Sequence, residues 1–321
     1  MAVSVGFLAI LIWRIPNFDA DDLFPKWRAS TAWWLIAAAA TLLVAYTLQT
    51  VRWAQVLRPL GFEVPFRRLF TEFLAGQFIS NVLPAAVGGD VVRIARLGRD
   101  LDDRPAAFAS VALERLTGWF VLPFISLAVM VGDPGLLHHG AASATAISID
   151  LITLVALAVL LGVAANRRWS ESARTATGWR RWLGSVHLGL DAIRANPTSI
   201  AGIVIAGGAF QITQCLSVWM TARALEMPAV TVVVALAFFP PTAIAQNLPV
   251  GLGGLGVREG GFVLFFGAMG APHARAVALG LVGYLLTLAT SALGAPAFAL
   301  GGWRRQLQRQ AERVTESGPT P

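Results

Sequence analysis

The chain is poor in charge. Only 13% of its 321 residues are Asp, Glu, Lys or Arg, and 56% are hydrophobic, with a mean hydropathy of +0.64. Soluble domains carry about 25% charged residues, so a soluble globular fold is excluded and an integral membrane protein is expected. Cysteine is nearly absent. The single Cys215 excludes an internal disulfide and a cysteine-based metal site. Lysine is represented only by Lys26, so the net charge of +7 is carried by arginine. Histidine is sparse and scattered (His138, His139, His187, His273), and the adjacent pair reads as a solvated loop. No G-x4-G-K-[ST] run is present, so ATP consumption by this chain is not expected. No cofactor and no metal is called for.

What is abundant is long apolar runs, at about 2–13, 31–51, 106–131, 145–165, 199–221 and 274–300. A membrane helix needs roughly 20 apolar residues. The N-terminal run has no basic leader region and no small-residue cleavage site, so it reads as a short first span rather than a signal peptide. Arginine placement orients the spans. Segments 52–68, 166–198 and the tail 303–321 are basic and are expected in the cytoplasm, whereas 14–30 is balanced and 132–144 has neither Lys nor Arg. Both termini are then cytoplasmic, in a multi-pass protein of the cell (inner) membrane. Counting crossings leaves 66–105 starting and ending inside and 222–273 starting and ending outside. Each is expected to be a re-entrant hairpin, entering from opposite faces.

The two hairpin tips share a pattern. The first reads NVLPAAVGGDVVR (Asn81, Pro84, Gly88, Gly89, Asp90, Arg93) and the second NLPVGLGGLGVRE (Asn247, Pro249, Gly253, Gly254, Arg258, Glu259). From the proline onward both are P-x3-G-G-x3-R. The expected fold is therefore an all-α helical bundle of about six spans plus two opposed re-entrant hairpins. It would be an inverted-topology repeat, with halves 1–135 and 136–302. Inverted repeats with broken helices are a transporter signature, and irregular backbone at membrane depth is tolerated where it is buried or lines a cavity. A static scaffold left by duplication is the alternative.

Those tip motifs, with Glu114–Arg115 in the following span, resemble the flippase-like transmembrane domain of lysylphosphatidylglycerol synthases. The resemblance covers nearly the whole chain. It implies movement of phospholipid or other lipid-linked head groups between leaflets. The soluble aminoacyl-transferase domain of the full synthases is not expected in about 20 residues after the last span, so the chain is not expected to be an enzyme.

The glycines Gly251, Gly253 and Gly256 also match G-x-G-x-x-G, but a dinucleotide site needs a preceding strand and a later acidic residue, and neither is there. Arg93 and Arg258 hold equivalent tip positions, and an ionisable group in a membrane is a functional candidate by default. Guanidinium forks suit phosphate. Two readings stand side by side: the arginines converge on a lipid phosphate, or they pair internally, Arg93 with Asp90 and Glu259 with a neighbouring arginine or tip amides. Candidate substrate-binding residues are Arg93, Arg258, Asp90, Glu259, Asn81, Asn247, Glu114 and Arg115. Glu114 is a candidate partner for a tip arginine, a proton carrier or a clamp on the hairpin. Glu72, Gln77, Gln211, Gln214 and Gln246 are candidates for a polar groove. The expected partners are an anionic phospholipid or lipid-linked phosphate and the membrane itself, not nucleic acid. Asp19-x-Asp21 after the first span supports a different class, a polyprenyl-phosphate-dependent glycosyltransferase. A third class is a non-transporting membrane partner of envelope enzymes.

Overall fold

The computed structural model describes residues 28–82, 88–164, 179–247 and 254–296. Among them the regular structure is helical throughout: α1 (Ala29–Leu57), α2 (Phe66–Val82), α3 (Gly88–Asp100), α4 (Arg104–Gly132), a 3-10 turn (Pro134–His138), α5 (Ala141–Ala164), α6 (Trp179–Arg194), α7 (Pro197–Ala224), α8 (Val232–Gln246), α9 (Val257–Ala268) and α10 (His273–Ser291). Five of these, α1, α4, α5, α7 and α10, are long and apolar enough to cross a membrane. The first expected span, 2–13, lies outside the described residues, as does the basic tail. Large apolar side chains point outward along the spans, including Ile36, Val44, Phe124, Ile152, Val155 and Ile205. Water would penalise that surface and lipid would not. The protein is an all-α integral membrane protein.

The helices start where the chemistry allows. Asp103 caps α4 by accepting from the Ala106 amide (3.0 Å), with Pro105 in the first turn. Thr231 caps α8 through the Val234 amide (3.2 Å). These caps satisfy amides that have no carbonyl partner inside their own helix.

Helices α2, α3, α8 and α9 hold 17, 13, 15 and 12 residues, short of a full crossing. They form two antiparallel hairpins, α2–α3 and α8–α9. Packing in the bundle has a two-fold character. Exchange α1 with α7, α2 with α8, α3 with α9 and α4 with α10, and the main contacts among these eight helices map onto one another; α5 and α6 have no described counterpart. The hairpin arm α2 rests on α10 as α8 rests on α4, and α1 lies along α7. Single hydrogen bonds follow the same exchange: Asn81 of α2 donates to Ser291 of α10 (3.0 Å), and Ser126 of α4 donates to the Ala237 carbonyl of α8 (2.7 Å).

Helices α1 and α7 run antiparallel along the axis of this arrangement. Trp34 meets Trp219 edge-on at 5.5 Å, Ser217 donates to the Ala38 carbonyl (3.1 Å), and at the other end Arg52 lies over Phe210 and beside Gly207. The loops that follow the two helices therefore leave at opposite ends of the bundle. Cysteines replacing the exposed residues Glu63 and Pro228, in a Cys215→Ala background, should label from opposite sides of the membrane, residue 63 from the cytoplasm. Labelling of both from one side would overturn the opposed arrangement.

Two details depart from the sequence reading. Arg52 does not sit in a cytoplasmic loop. The α1 helix continues to Leu57, because the apolar face carried by Trp53, Val56 and Leu57 keeps packing and the first backbone break comes at Gly61, with φ +85°. The basic segment 166–198 is also not simply a loop. Its second half is α6, whose Val186, Leu190 and Ile193 recur at helical spacing and pack on Val56, Leu113 and Ile203. A hydropathy window averages such an amphipathic helix to near neutrality and misses it.

Candidate functional site

The hairpins and spans enclose a cavity of about 300 Å³, lined from both halves. Arg93, from the first hairpin, and Arg258, from the second, both line it. Its walls are rich in amides: Gln49, Gln77, Asn81, Gln211, Gln214, Gln246 and Asn247. Glu72 is elsewhere, paired with Arg96 across the first hairpin (3.2 Å).

At the centre of the first half is Glu114 of α4, with no exposed surface. One carboxylate oxygen accepts from Gln49 and Arg52 of α1, and the other accepts from both terminal nitrogens of Arg93 (3.3 Å each). Arg93 also approaches Asp90 (3.5 Å) and stacks over Trp53, its guanidinium carbon 4.0 Å from the ring centroid. Arg115 points the other way round the helix, pairs with Asp90 and is 40% exposed at the side chain. The carboxylate thus ties three elements together, α1, α3 and α4. Its charge offsets the cost of two arginines in a low-dielectric interior.

The second half solves the same problem differently. Arg258 donates to its neighbour Glu259 through Nε (3.1 Å) and Nη2 (2.6 Å), and lies 5.4 Å from the centroid of Tyr284. Glu259 is fully buried and also accepts from the Gly256 amide (2.6 Å), closing the first turn of α9. The carboxylate presses on Gly280 of α10, the helix that corresponds to α4. A β-carbon at Gly280 would stand 2.7 Å from the carboxylate oxygen. Tyr284 then donates to the Asn81 carbonyl (2.9 Å), joining the second half to the first tip.

Every described candidate residue is accounted for. Arg93, Asp90, Glu114 and Arg115 form one network, and Arg258 and Glu259 a second. Asn81 and Asn247 flank the cavity, Asn247 with its amide folded onto the Ala243 carbonyl (2.7 Å). Gly88 and Gly89 open α3, and Gly254 holds φ +75° just before α9, a conformation that favours glycine. Pro84, Pro249 and Gly253 lie outside the described residues. Sequence reasoning missed Gln49, Arg52 and Trp53. Their i, i+3, i+4 spacing would have placed them on one helical face had α1 been extended past residue 51.

The lining is electropositive. Arg52, Arg93, Arg115 and Arg258 face two lining carboxylates, Asp90 and Glu114, an excess of two; Glu259, behind Arg258, lowers it to one. Arg52 Nε and Nη1 and Arg93 Nε have no hydrogen-bond partner among the described residues. Spare guanidinium donors next to a polar cavity suit an anion.

The family described as the lysylphosphatidylglycerol synthase TM region matches residues 1–294. The chain belongs to that family. As a lysylphosphatidylglycerol synthase TM-region protein it is similar to glycosyltransferase AglD of Haloferax volcanii, 27% identical over 284 residues, which is 76% of this chain and 45% of AglD. It is also similar to a UPF0104 membrane protein of Methanocaldococcus jannaschii, 30% identical over 98 residues, 30% of this chain and 29% of that protein. The matched part is thus less than half the length of either relative. No solved structure matches.

Proposed function

We propose that the protein moves an anionic lipid, or a lipid-linked phosphate, between membrane leaflets. The observation that carries this reading is the cavity between two opposed hairpins, lined by an arginine from each tip and by an excess of positive charge. The head group passes through the cavity while the acyl or prenyl tails stay in the bilayer. Arg93 and Arg258 meet the phosphate, the amides meet the polar remainder, and the two halves rock to alternate access. The protein acts in the cell membrane with both termini in the cytoplasm. The internal carboxylates hold the arginines between substrates, so a bound phosphate competes with Glu114 and Glu259 for the same donors.

The test is lipid translocation in proteoliposomes, with head-group-labelled anionic and zwitterionic phospholipids. Wild type should accelerate the anionic lipid. Arg93→Gln and Arg258→Gln, checked for folding, should each lose that acceleration by tenfold or more. Equal rates for both lipid classes would overturn the anionic preference.

A second reading is favoured by the likeness to AglD: the chain itself takes part in sugar transfer from a polyprenyl-phosphate donor. Its candidate acidic motif, Asp19 and Asp21, lies outside the described residues. Transfer of labelled sugar by the purified protein would decide for it. If neither lipid movement nor transfer occurs, a partner role in the envelope is the remaining class.

A further inference from the structure

Helix α5 is the most apolar of the five spans, yet it carries Asp150 about 14 Å along its axis from the start. The side chain has no exposed surface, and neither carboxylate oxygen has a hydrogen-bond partner among the described residues. Among the described residues, no element packed against α5 brings it a counter-charge. Helix α8 has no titratable residue. On α4 the charged residues Arg104, Glu114 and Arg115 lie three or more turns away, and the last two are in the cavity network. On α9 the only charged residues, Arg258 and Glu259, pair with each other. The 3-10 turn, at the end of the bundle, offers His138, which engages the Pro134 carbonyl (2.9 Å), and is flanked by Asp133, which accepts from the Gly135 amide (3.2 Å), and by His139, two residues before α5 begins. An isolated carboxylate in such a place is costly, and a bound proton would remove that cost.

Ser126 of α4 is a polar neighbour of Asp150, close enough to act on its charge but not hydrogen-bonded to it in this arrangement. A hydroxyl donates once, and Ser126 already donates to the Ala237 carbonyl of α8 (2.7 Å). That carbonyl lacks its ordinary helical partner, because residue 241, four positions on, is proline and has no N–H. Ser126 can therefore accept from a protonated Asp150 while it holds α8. It cannot satisfy an ionised Asp150 without letting α8 go.

We infer that Asp150 is a proton-carrying site that couples the membrane's proton gradient to movement of the second hairpin, a coupling that rests on the transport reading above. With the proton bound, the chain Asp150–Ser126–Ala237 is complete and α8 is held just before Pro240–Pro241. When water takes the proton, Ser126 turns to donate to the carboxylate, and α8 is freed at its proline break. The hairpin arm carrying Gln246 at the cavity wall then moves.

Two measurements on the full chain test this. The first is infrared spectroscopy of the reconstituted protein across pH. Wild type should show the carbonyl stretch of one protonated carboxyl, absent in Asp150→Asn, that disappears reversibly as pH rises. No such band, or a band that never responds while the protein stays folded, would overturn the inference. The second is labelled-lipid movement under an imposed pH gradient. Wild type should change rate by about 5-fold or more, the lower end of ordinary coupling. Asp150→Asn and Ser126→Ala should move lipid at one rate with or without the gradient, and Asp150→Glu should keep the response. Lipid movement in wild type that ignores the gradient would also sink it. If wild type moves no lipid, the transport reading fails and the infrared result alone decides whether Asp150 exchanges a proton.

Discussion

Glu114→Gln should be among the most destabilising single substitutions in this protein. Its carboxylate receives hydrogen bonds from Gln49, Arg52 and Arg93 and has no exposed surface. Glutamine keeps the shape and removes the charge. Arg52 and Arg93 would then face each other across a neutral amide, deep in the protein. Removing one partner of a buried ion pair costs about 3–5 kcal/mol, because the remaining charge is stranded. Here two charges are stranded, with Asp90 beside Arg93 and, among the described residues, no other carboxylate paired with either. Thermal unfolding in detergent, followed by the fluorescence of the chain's tryptophans, should show a clear downward shift in midpoint. The double variant Glu114→Gln with Arg52→Gln removes one of the stranded charges and should recover part of the loss. A double variant as unstable as the sum of the two single variants would mean that the residues act independently. The same argument makes Arg68→Ala a weak perturbation. That side chain pairs with Asp100 at 2.5 Å but is 54% exposed, and pairs of this kind contribute about 0–1 kcal/mol.

Gly89→Ala should prevent the first hairpin from closing. Gly89 lies in the first turn of α3 and rests on α2, where a β-carbon would stand 2.1 Å from the Gly76 carbonyl oxygen and 2.1 Å from the Ser80 hydroxyl. The first of these is backbone and cannot rotate away. Relief requires the two arms to separate, and that would pull Arg93 from Glu114. Alanine's better helix propensity returns only about 1 kcal/mol. Overpacking against fixed backbone costs at least the ~3 kcal/mol at the upper end of ordinary cases. The variant should express poorly and unfold at lower temperature. Gly208→Ala is the matched control: that glycine is also in a helix, and a β-carbon there meets nothing within 4 Å. It should be neutral or slightly stabilising. If both variants behaved alike, the close approach of α2 and α3 would be wrong.

Gly89 also shows how the tip motif should be read. A P-x3-G-G-x3-R pattern invites a binding interpretation of its glycines. The structure gives Gly89 a steric task, close contact with the neighbouring arm, and Gly254 and Gly256 a conformational one, at φ +75° and +86°. The arginines of the same motif both reach the cavity.

Residue type and order alone determined a good deal of this protein. Sustained apolar runs dictate membrane helices, since a helix must satisfy its own backbone in lipid. Four of the runs between 31 and 221, and the start of the run at 274, correspond to described spanning helices. Stretches too short to cross, with Gly and Pro at their centres, invite a hairpin reading, and the four short helices α2, α3, α8 and α9 fall in those stretches. Where each buried charge finds its partner was not legible. Arg52 looked like a loop residue because hydropathy falls at the first arginine, and only packing on α7 and α4 shows it inside the bundle. Glu114 and Arg115 are neighbours in the chain, yet the turn of the helix sends one to Arg52 and Arg93 and the other to Asp90. Asp150 attracted no notice within an apolar run. Its significance lies in what surrounds it, a serine already committed and a helix broken by proline. Charge partners, cavities and unsatisfied groups depend on contacts between residues far apart in the chain, and those exist only once the helices have packed.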